Sequence, residues 1–321
     1  MRSILFLLLA ALAAIVGTAT AIAQQIAVVS EGGSTDVYQT LTEAIEGASD
    51  GSVIYLPGGG FQIDDSVKIT KRLTIIGIGH KAKNENVDGN TTIAGNLNIN
   101  ASKSSVMGCY ISGNIYINEG SNNVTVKYCN VNEIHWQASS TGTVINQNYI
   151  RTGCYGNSGS AEFTNNITQW VKDLDSGKIE NNIFTGYAYQ NYVGAATLLL
   201  CDNCTITNNI FLTNNNIGCG SNCLVSGNMR ANGDWGDDPI NLTIDSWDEV
   251  FTNYNSGSIT PASDFHFTAD YQQYSDCGIY GGTGFSDGAL PPVPFIVAKS
   301  IPEQTDAAGN LNIKIRVKAG E

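Results

Sequence analysis

The sequence predicts an all-β protein whose body is a right-handed parallel β-helix, and three observations carry this prediction. The chain of 321 residues contains 35 glycines and only 14% charged residues, yet 42% of its residues are hydrophobic. This composition is typical of a folded β protein with many tight turns and argues against disorder. A short strand-like run that ends in Asn recurs through the middle of the chain, and the segments around it are typical of caps.

The first residues are typical of a secretory signal. Arg2 precedes an apolar run from Ile4 to Val16, and Ala21-Ile22-Ala23 offers small residues to a signal peptidase. We therefore expect a signal peptide over 1–23 and a secreted, extracellular or cell-envelope protein. The run is shorter than the about 20 residues of a membrane span, and no transmembrane segment is expected in the mature chain.

Residues 24–60 are expected to form an N-terminal cap, because a solenoid exposes an apolar end unless something covers it. Within this cap, residues 36–49 are predicted to form an amphipathic helix with Asp36 as its N-cap. Five apolar side chains fall on one face at helical spacing: Val37, Leu41, Ala44, Ile45 and Ala48.

Residues 61–232 are expected to form the β-helix itself. Asn followed by an apolar residue recurs at steps of 18, 18, 16, 27 and 19 residues, which is one solenoid coil per step. Equivalent residues of successive coils stack about 4.8 Å apart, so these amides are predicted to hydrogen-bond from coil to coil, with the apolar residue after each pointing inward. The predicted ladder is Asn130, Asn148, Asn166, Asn182, Asn209 and Asn228.

The caps carry a specific resemblance. The predicted helix leads to a strand that ends in Leu56-Pro57-Gly58, and an Ile-rich strand then ends in Gly77-Ile78-Gly79. This order resembles the entry into pectin-lyase-like β-helix proteins. The segments 264–267 and 276–282 are similar to the ending of many secreted bacterial β-helix proteins. The resemblance covers roughly 26–229 and implies an architecture, without implying one activity.

Two segments follow the predicted coils. Residues 233–290 are expected to form a C-terminal cap, and 291–321 a Pro-rich linker with a terminal strand. In that strand Leu311, Ile313, Ile315 and Val317 alternate with polar residues. It is expected to pack on the cap as an edge strand. An export or attachment element is the alternative.

The chain has eight cysteines, and an even number in a secreted protein favours disulfides. Three pairs lie about one coil apart and are the candidates: Cys204 with Cys223, Cys201 with Cys219, and Cys109 with Cys129. Cys154 and Cys277 have no assigned partner. The rival interpretation is a zinc site formed by the four cysteines between 201 and 223.

Few residues are candidates for a catalytic role. Lys127 and Arg151 are candidate base and carboxylate-binding groups of a lyase, and Asp237 and Asp238 match one short motif of polygalacturonase-like hydrolases. The companion motifs of both families are missing. Together with Asp234, the two aspartates also form a candidate Ca²⁺ site.

Aromatic residues near the predicted turns are candidate sugar-stacking groups, because exposed rings pack on sugar faces. The candidates are Trp136, Trp170, Trp235, Tyr187 and Tyr189, the last two in the long step between coils.

The net charge of −13 disfavours nucleic acid as a partner, and an acidic polysaccharide would need a local basic patch or bridging Ca²⁺. The preferred function is a non-catalytic secreted or surface protein that engages glycans or envelope partners. The alternatives are a polysaccharide lyase or glycoside hydrolase, and a structural part of a larger envelope protein.

Overall fold

The protein is a parallel β-helix, seen here in a computed structural model. The structure describes residues 25–80, 89–186, 197–213, 217–255, 259–285, 294–300, 308–310 and 314–319. The predicted signal peptide, Tyr187, Tyr189, and Leu311 and Ile313 of the predicted terminal strand lie outside these residues, as do 291–293 and 301–307 of the predicted linker.

Each coil contributes one strand to a first sheet. In the described part of the chain this sheet has eleven strands, which are parallel from the third onward. They are Ile26–Val29, Thr35–Tyr38, Val53–Tyr55, Thr74–Ile76, Ser105–Met107, Thr125–Lys127, Thr143–Asn146, Ala161–Thr164, Lys178–Glu180, Thr205–Thr207 and Leu224–Ser226.

After a tight turn each coil continues into a second sheet with two successive segments, called here the near and the far segment. The near strands are Gly59–Gln62, Thr91–Ala94, Tyr110–Ile111, Ile167–Thr168, Ile183–Phe184, Ile210–Phe211, Met229–Ala231 and Ile240–Leu242. The far strands are Lys68–Ile69, Leu97–Ile99, Ile115–Ile117, Trp170–Leu174 and Leu198–Leu199. Two long strands, Asn130–Trp136 and Tyr149–Gly159, run through both segments.

A ladder of buried amides closes the turn between the two sheets. The Asn182 side chain accepts a hydrogen bond from the Asn166 backbone N–H at 2.8 Å and donates to the carbonyls of Phe163 and Glu180. Its amide also donates to Asn209 in the next coil at 3.0 Å. The same pattern links Asn148, Asn166, Asn182, Asn209 and Asn228.

Asn130 does not belong to this ladder, which corrects the sequence prediction by one residue. The ladder position of its coil is Cys129, whose backbone N–H donates to the Asn148 side chain at 3.0 Å. The Cys129 thiol donates to the carbonyl two residues earlier at 3.2 Å, and Cys109 does the same one coil before. The thiols therefore take the place of amides at the N-terminal end of the ladder.

The apolar residue after each ladder Asn was expected to point inward, and for most coils this is wrong. Ile167, Ile183, Ile210 and Met229, called here the covered column, face outward and belong to a second core. Phe184 and Phe211, one position later, fill the interior. The ladder side chain itself points into the turn, so the alternation along a strand sends the next side chain outward.

The covered column is buried by residues 244–285, called here the C-terminal segment. Its described residues contain two short 3₁₀ helices, Trp247–Glu249 and Ala269–Tyr274, and an antiparallel pair of strands, Phe251–Asn253 with Asp264–Phe267. Asn165 donates to the carbonyls of Ile279 and Gly281, each at 2.9 Å. This segment packs along the side of the coils.

The N-terminal helix is shorter than predicted. It spans Leu41–Gly47, and Thr40 is its N-cap, in a capping box with Glu43. The region around Asp36, the predicted N-cap, forms the strand Thr35–Tyr38, which pairs antiparallel with Ile26–Val29. Leu41, Ala44 and Ile45 are buried, but Val37, which was predicted to lie on the same apolar face, is on this strand and exposed.

All eight cysteines are free thiols in the structure. The pairing of Tyr110 with Asn130 puts Cys109 and Cys129 at equivalent positions of adjacent coils, and the pairing of Thr205 with Leu224 does the same for Cys204 and Cys223. Cys219 lies against Cys223, which raises the pKa of the Cys219 thiol after the larger effect of burial.

The end of the chain forms a hairpin, Pro294–Ser300 antiparallel to Lys314–Ala319. None of the helices in the described residues is long and apolar enough to cross a membrane.

Candidate functional site

The far segment of the second sheet presents one outward side chain per coil, and four of these form a column with chemical character. The strand register aligns Tyr116 with His135, His135 with Tyr155, and Tyr155 with Lys172. We call these four residues the aromatic column. Their neighbours along each strand point inward, since Ile115, Ile117, Ile134, Trp136, Cys154 and Val171 are buried in the main core.

The three rings of the column lie one above another, tilted between Tyr116 and His135 and stacked between His135 and Tyr155. The ring centroids of Tyr116 and His135 are 4.9 Å apart, and those of His135 and Tyr155 are 4.6 Å apart with an interplanar angle of 22°. The Lys172 Nζ lies 6.0 Å from the Tyr155 ring centroid. The two ring spacings match the coil repeat of about 4.8 Å, so the positions of the rings follow from the strand register.

Glu133 lies beside the column and pairs with its histidine. The Glu133 Oε2 is 2.9 Å from His135 Nε2, and both side chains are 20% exposed. Asn114 donates to the Tyr116 hydroxyl at 3.0 Å and to Glu133 at 3.4 Å. A carboxylate fixes the orientation of the imidazole in such a pair, and the two groups together can hold or transfer a proton.

Trp170 supports the column from the side. Its ring lies over Gly153, where an added Cβ would come within 2.3 Å of the indole, and it meets the Tyr155 ring edge-on at 4.7 Å. Trp170 is only 4% exposed. Gly153 therefore makes room for the indole, and the indole fixes the position of Tyr155.

Lys172 supplies the positive charge of the column. Its Nζ lies 3.6 Å from the Asp173 carboxylate, and the two side chains are 20% and 25% exposed. This ion pair holds the ammonium group beside the Tyr155 ring.

A cavity lies between the near segment of the second sheet and the C-terminal segment. This cap pocket has a volume of about 320 Å³. It is lined by Tyr149, Ile150, Arg151, Ile167, Gln169, Thr185, Leu212, Trp247, Tyr254 and Ile259. Burial lowers the pKa of Arg151 from its ordinary value.

The structure separates the two basic residues that the sequence grouped as lyase candidates. Lys127 ends a strand of the first sheet, whereas Arg151 lies on a strand of the second sheet. Arg151 lines the cap pocket, and Lys127 belongs to neither the cap pocket nor the aromatic column.

Asp234, Asp237 and Asp238 are exposed in the loop between the near strands Met229–Ala231 and Ile240–Leu242. Asp237 makes a backbone bridge to Ser226. Among the described residues, no group of three or more His, Cys, Asp or Glu side chains is arranged to hold a metal ion. The Ca²⁺ site stays a prediction of the sequence.

The candidate sugar-stacking tryptophans lie in different surroundings. Trp136 is fully buried in the main core and Trp170 is nearly so, which leaves neither ring with an open face. Trp235 is partly exposed and packs edge-on against Phe211 at 5.4 Å.

Sequence reasoning missed the column as a unit. Tyr116, His135, Tyr155 and Lys172 are 19, 20 and 17 residues apart, which are coil steps like those of the Asn ladder. Extending the coil period from the ladder to the other positions of each coil would have found them.

The fold is that of a pectin-lyase-like parallel β-helix protein. The family model described as Rhamnogalacturonase A/epimerase, pectate lyase-like matches residues 29–233, which is more than half of the chain. The chain belongs to this family, and the family supports a role related to polysaccharides. Searches of curated proteins and of solved structures gave no match.

Proposed function

We propose that this protein is a secreted or cell-surface β-helix that engages a polysaccharide along the aromatic column. The observation that carries the proposal is the stack of Tyr116, His135 and Tyr155, one ring per coil on an outward face. Because the ring faces lie against one another, the column presents ring edges, phenol hydroxyls and an imidazole edge to a ligand, and these can contact the C–H groups and hydroxyls of a sugar. A polysaccharide has a repeating structure, and the aromatic column offers it one side chain per coil at a regular spacing.

Lys172 favours an acidic sugar as the ligand. The whole chain carries a net charge of −13, so an acidic polymer is repelled at long range and needs a local cation. Lys172 lies next to the Tyr155 ring, where the carboxylate of a sugar bound at the ring edge can take the place of Asp173 as the partner of the ammonium group.

A second candidate function, polysaccharide cleavage, is favoured by the contact of 2.9 Å between Glu133 and His135. In a β-elimination, a base takes the proton next to the uronate carboxylate, a carbon–carbon double bond forms, and the glycosidic oxygen leaves with the bonding pair. His135 is the candidate base, Glu133 stabilises the protonated imidazole, and Lys172 neutralises the carboxylate.

One panel of substrates separates binding from cleavage. The purified protein is mixed with polygalacturonate, alginate, chondroitin and neutral glycans, each with and without Ca²⁺. Binding is measured by affinity electrophoresis, elimination by the ultraviolet absorbance of the unsaturated uronate product, and hydrolysis by the new reducing ends. Tyr155→Ala should weaken binding, and Lys127→Gln is the matched control on the other sheet.

The outcomes are distinct. Binding that is lost in Tyr155→Ala, without any product, supports the non-catalytic function. Product that disappears in His135→Ala and Glu133→Gln supports the enzyme. Binding that Tyr155→Ala and Tyr116→Ala leave unchanged would remove the column from the function altogether.

Secretion rests on the signal-like segment 1–23 and is part of the proposal. In an oxidising compartment, the register of Cys109 with Cys129 and of Cys204 with Cys223 favours these two disulfides. The test is N-terminal sequencing of exported protein, followed by mass spectrometry after alkylation with and without reduction. An intact N-terminus in the cell interior with eight alkylated thiols would contradict both.

A further inference from the structure

Cys219 is the exposed thiol of a cluster of cysteines in the last coils. All eight cysteines of the chain lie in the described residues, and among them Cys219 is exposed, Cys223 is partly buried and the other six are buried. The Cys219 side chain lies within hydrogen-bond range of the Cys223 thiol. An accessible thiol therefore contacts a less accessible one directly.

Cys223 in turn lies over Cys204 of the preceding coil. The strand register puts the two residues at equivalent positions of adjacent coils. The Cys204 thiol donates to the Leu174 carbonyl at 3.6 Å, and the Cys223 thiol donates to the Cys201 carbonyl at 2.9 Å. The residues after these two carbonyls pair across the coils, so the two thiols have equivalent surroundings. Their Cα atoms are about 4.8 Å apart, which is within the range of a disulfide.

Cys204 is poorly placed to react with a dissolved oxidant. It is only 1% exposed, and burial raises the pKa of its thiol to about 12. Near pH 8 such a thiol is ionised to about one part in ten thousand, and the thiolate is the form that attacks a disulfide. Oxidation of Cys204 in the folded protein therefore needs a thiol that contacts both the solvent and the buried pair.

We propose that Cys219 is the site at which a small disulfide reacts with the folded protein, and that Cys223 passes the oxidation from Cys219 to Cys204. The Asp202 carboxylate accepts a hydrogen bond from the Ser221 backbone N–H in the same turn, close to the Cys219 thiol. The reagent is therefore a disulfide without negative charge. The site is separate from the aromatic column, and its argument depends neither on secretion nor on a polysaccharide.

Each step of the reaction exchanges one S–S bond for another. The Cys219 thiolate attacks one sulfur of the small disulfide R–S–S–R, and R–S⁻ leaves and takes up the proton that Cys219 released. The Cys223 thiolate attacks the Cys219 sulfur of this mixed disulfide, and the second R–S⁻ leaves and is protonated. Cys204 then gives up its proton and attacks the Cys223 sulfur, and Cys219 leaves and regains a proton. The pair Cys204–Cys223 is oxidised by two electrons, and the small disulfide becomes two thiols.

Cys109 and Cys129 provide a comparison within the same molecule. They occupy equivalent positions of adjacent coils, as Cys204 and Cys223 do, but both are fully buried and the exposed Cys219 lies several coils away. Burial raises the pKa of both thiols, that of Cys129 to about 12. If this pair is reduced when the protein folds, it should stay reduced.

The test uses purified protein that is folded, fully reduced and then freed of reductant. Cystamine, a small cationic disulfide, is added, and samples are quenched with acid and alkylated in denaturant at intervals. Peptide mass spectrometry then identifies the state of each cysteine. We expect the pair Cys204–Cys223 to be oxidised while Cys109 and Cys129 remain alkylated thiols.

The variant Cys219→Ser removes the entry thiol at an exposed position. It should slow the oxidation of Cys204 about tenfold or more at an unchanged melting temperature. Ser221→Ala changes an exposed side chain of the same turn and is the matched control, with the wild-type rate expected.

Two further variants stop the reaction at its intermediates. Cys223→Ser should accumulate the mixed disulfide of Cys219 with one half of cystamine and leave Cys204 reduced. Cys204→Ser should stop at the disulfide between Cys219 and Cys223.

Three results would overturn the proposal. Oxidation of Cys204 at the wild-type rate in Cys219→Ser would make Cys223 the entry point. Oxidation of Cys109 and Cys129 as fast as that of Cys204 and Cys223 would show that no entry thiol is needed. A wild-type protein whose Cys204 stays reduced would show that Cys223 does not pass the oxidation inward.

Discussion

The covered column and the aromatic column both face outward from the same sheet, and they differ in what lies over them. Ile167, Ile183, Ile210 and Met229 are buried beneath the C-terminal segment and form a second core with it. The aromatic column is partly exposed, and its rings contact one another along the coil axis. The strand geometry is the same in both columns, so the covering element decides which column stabilises the fold.

The difference also shows in the side chains that each column accepts. A covered column must be apolar, because each side chain loses its water on folding and gains only packing contacts. The aromatic column keeps an imidazole, a carboxylate neighbour and an ammonium group that remain partly hydrated. Substitutions in the covered column should therefore affect stability, and those in the aromatic column should affect binding.

The largest loss of stability is expected from a substitution in the C-terminal segment, which buries the covered column. Phe251 is buried and packs against the rings of Trp247, Tyr254, Phe265 and Phe267. Phe251→Ala should lower the free energy of unfolding by about 3–5 kcal/mol, from lost apolar burial and the cavity left behind. Urea denaturation measures it.

The matched control for Phe251→Ala is Tyr116→Ala in the aromatic column, for which we expect a loss below about 1 kcal/mol. Similar losses for the two variants would show that the columns do not differ in their contribution to stability.

The second prediction concerns the pH dependence of stability and the buried thiol of Cys129, which replaces an amide in the ladder. Burial raises the pKa of Cys129 from 9.0 to about 12. Above pH 9 the unfolded state releases this proton and the folded state keeps it, so stability falls as the pH rises toward 12. The expected slope is about 1.4 kcal/mol per pH unit for this thiol.

Denaturation at pH 8 and pH 10 in the presence of a reductant measures this slope. Cys129→Asn restores an amide at the ladder position and removes the titrating group, so its loss of stability between the two pH values should be smaller. The same slope in both proteins would contradict a buried, reduced Cys129. A disulfide with Cys109 would make the slope appear only after reduction.

The third effect tests the support beneath the aromatic column. Gly153→Ala places a methyl group where the indole of Trp170 lies, and the ring must move because it cannot overlap the new atom. We expect a loss of about 1–3 kcal/mol in stability, as is usual for overpacking, together with a shift in tryptophan fluorescence. Polysaccharide binding should weaken as Tyr155 loses its neighbour.

Gly60→Ala is the control for Gly153→Ala, because an added Cβ at Gly60 meets nothing within 4 Å. Wild-type fluorescence and binding in Gly153→Ala would mean that Trp170 does not position Tyr155.

The sequence predicted the coils because Asn recurs once per coil. Asn is required there because its buried amide hydrogen-bonds several backbone groups of the turn. Asn130 was misplaced because Cys129 performs the same backbone bonding with a thiol, and a search for Asn cannot detect that exchange. The side chains of the covered column were predicted to point inward because they are apolar. The sequence around them does not indicate that a distant segment covers the outer face of the coils. The Glu133–His135 pair was missed, although a spacing of two residues puts both side chains on one face of a strand.

The smallest effect on stability and the most specific effect on binding are expected from Tyr155→Ala. Tyr155 lies on the partly exposed surface between His135 and Lys172, so its removal leaves no closed cavity, and we expect a loss of less than about 1 kcal/mol. Affinity for polygalacturonate should fall about tenfold, because the exposed edge of one ring contributes about 1 kcal/mol or slightly more. Tyr155→Phe keeps the ring edge and should keep most of the affinity. If Tyr155→Phe instead loses as much as Tyr155→Ala, the hydroxyl carries the contact, and the column acts through hydrogen bonds and not through packing of ring edges.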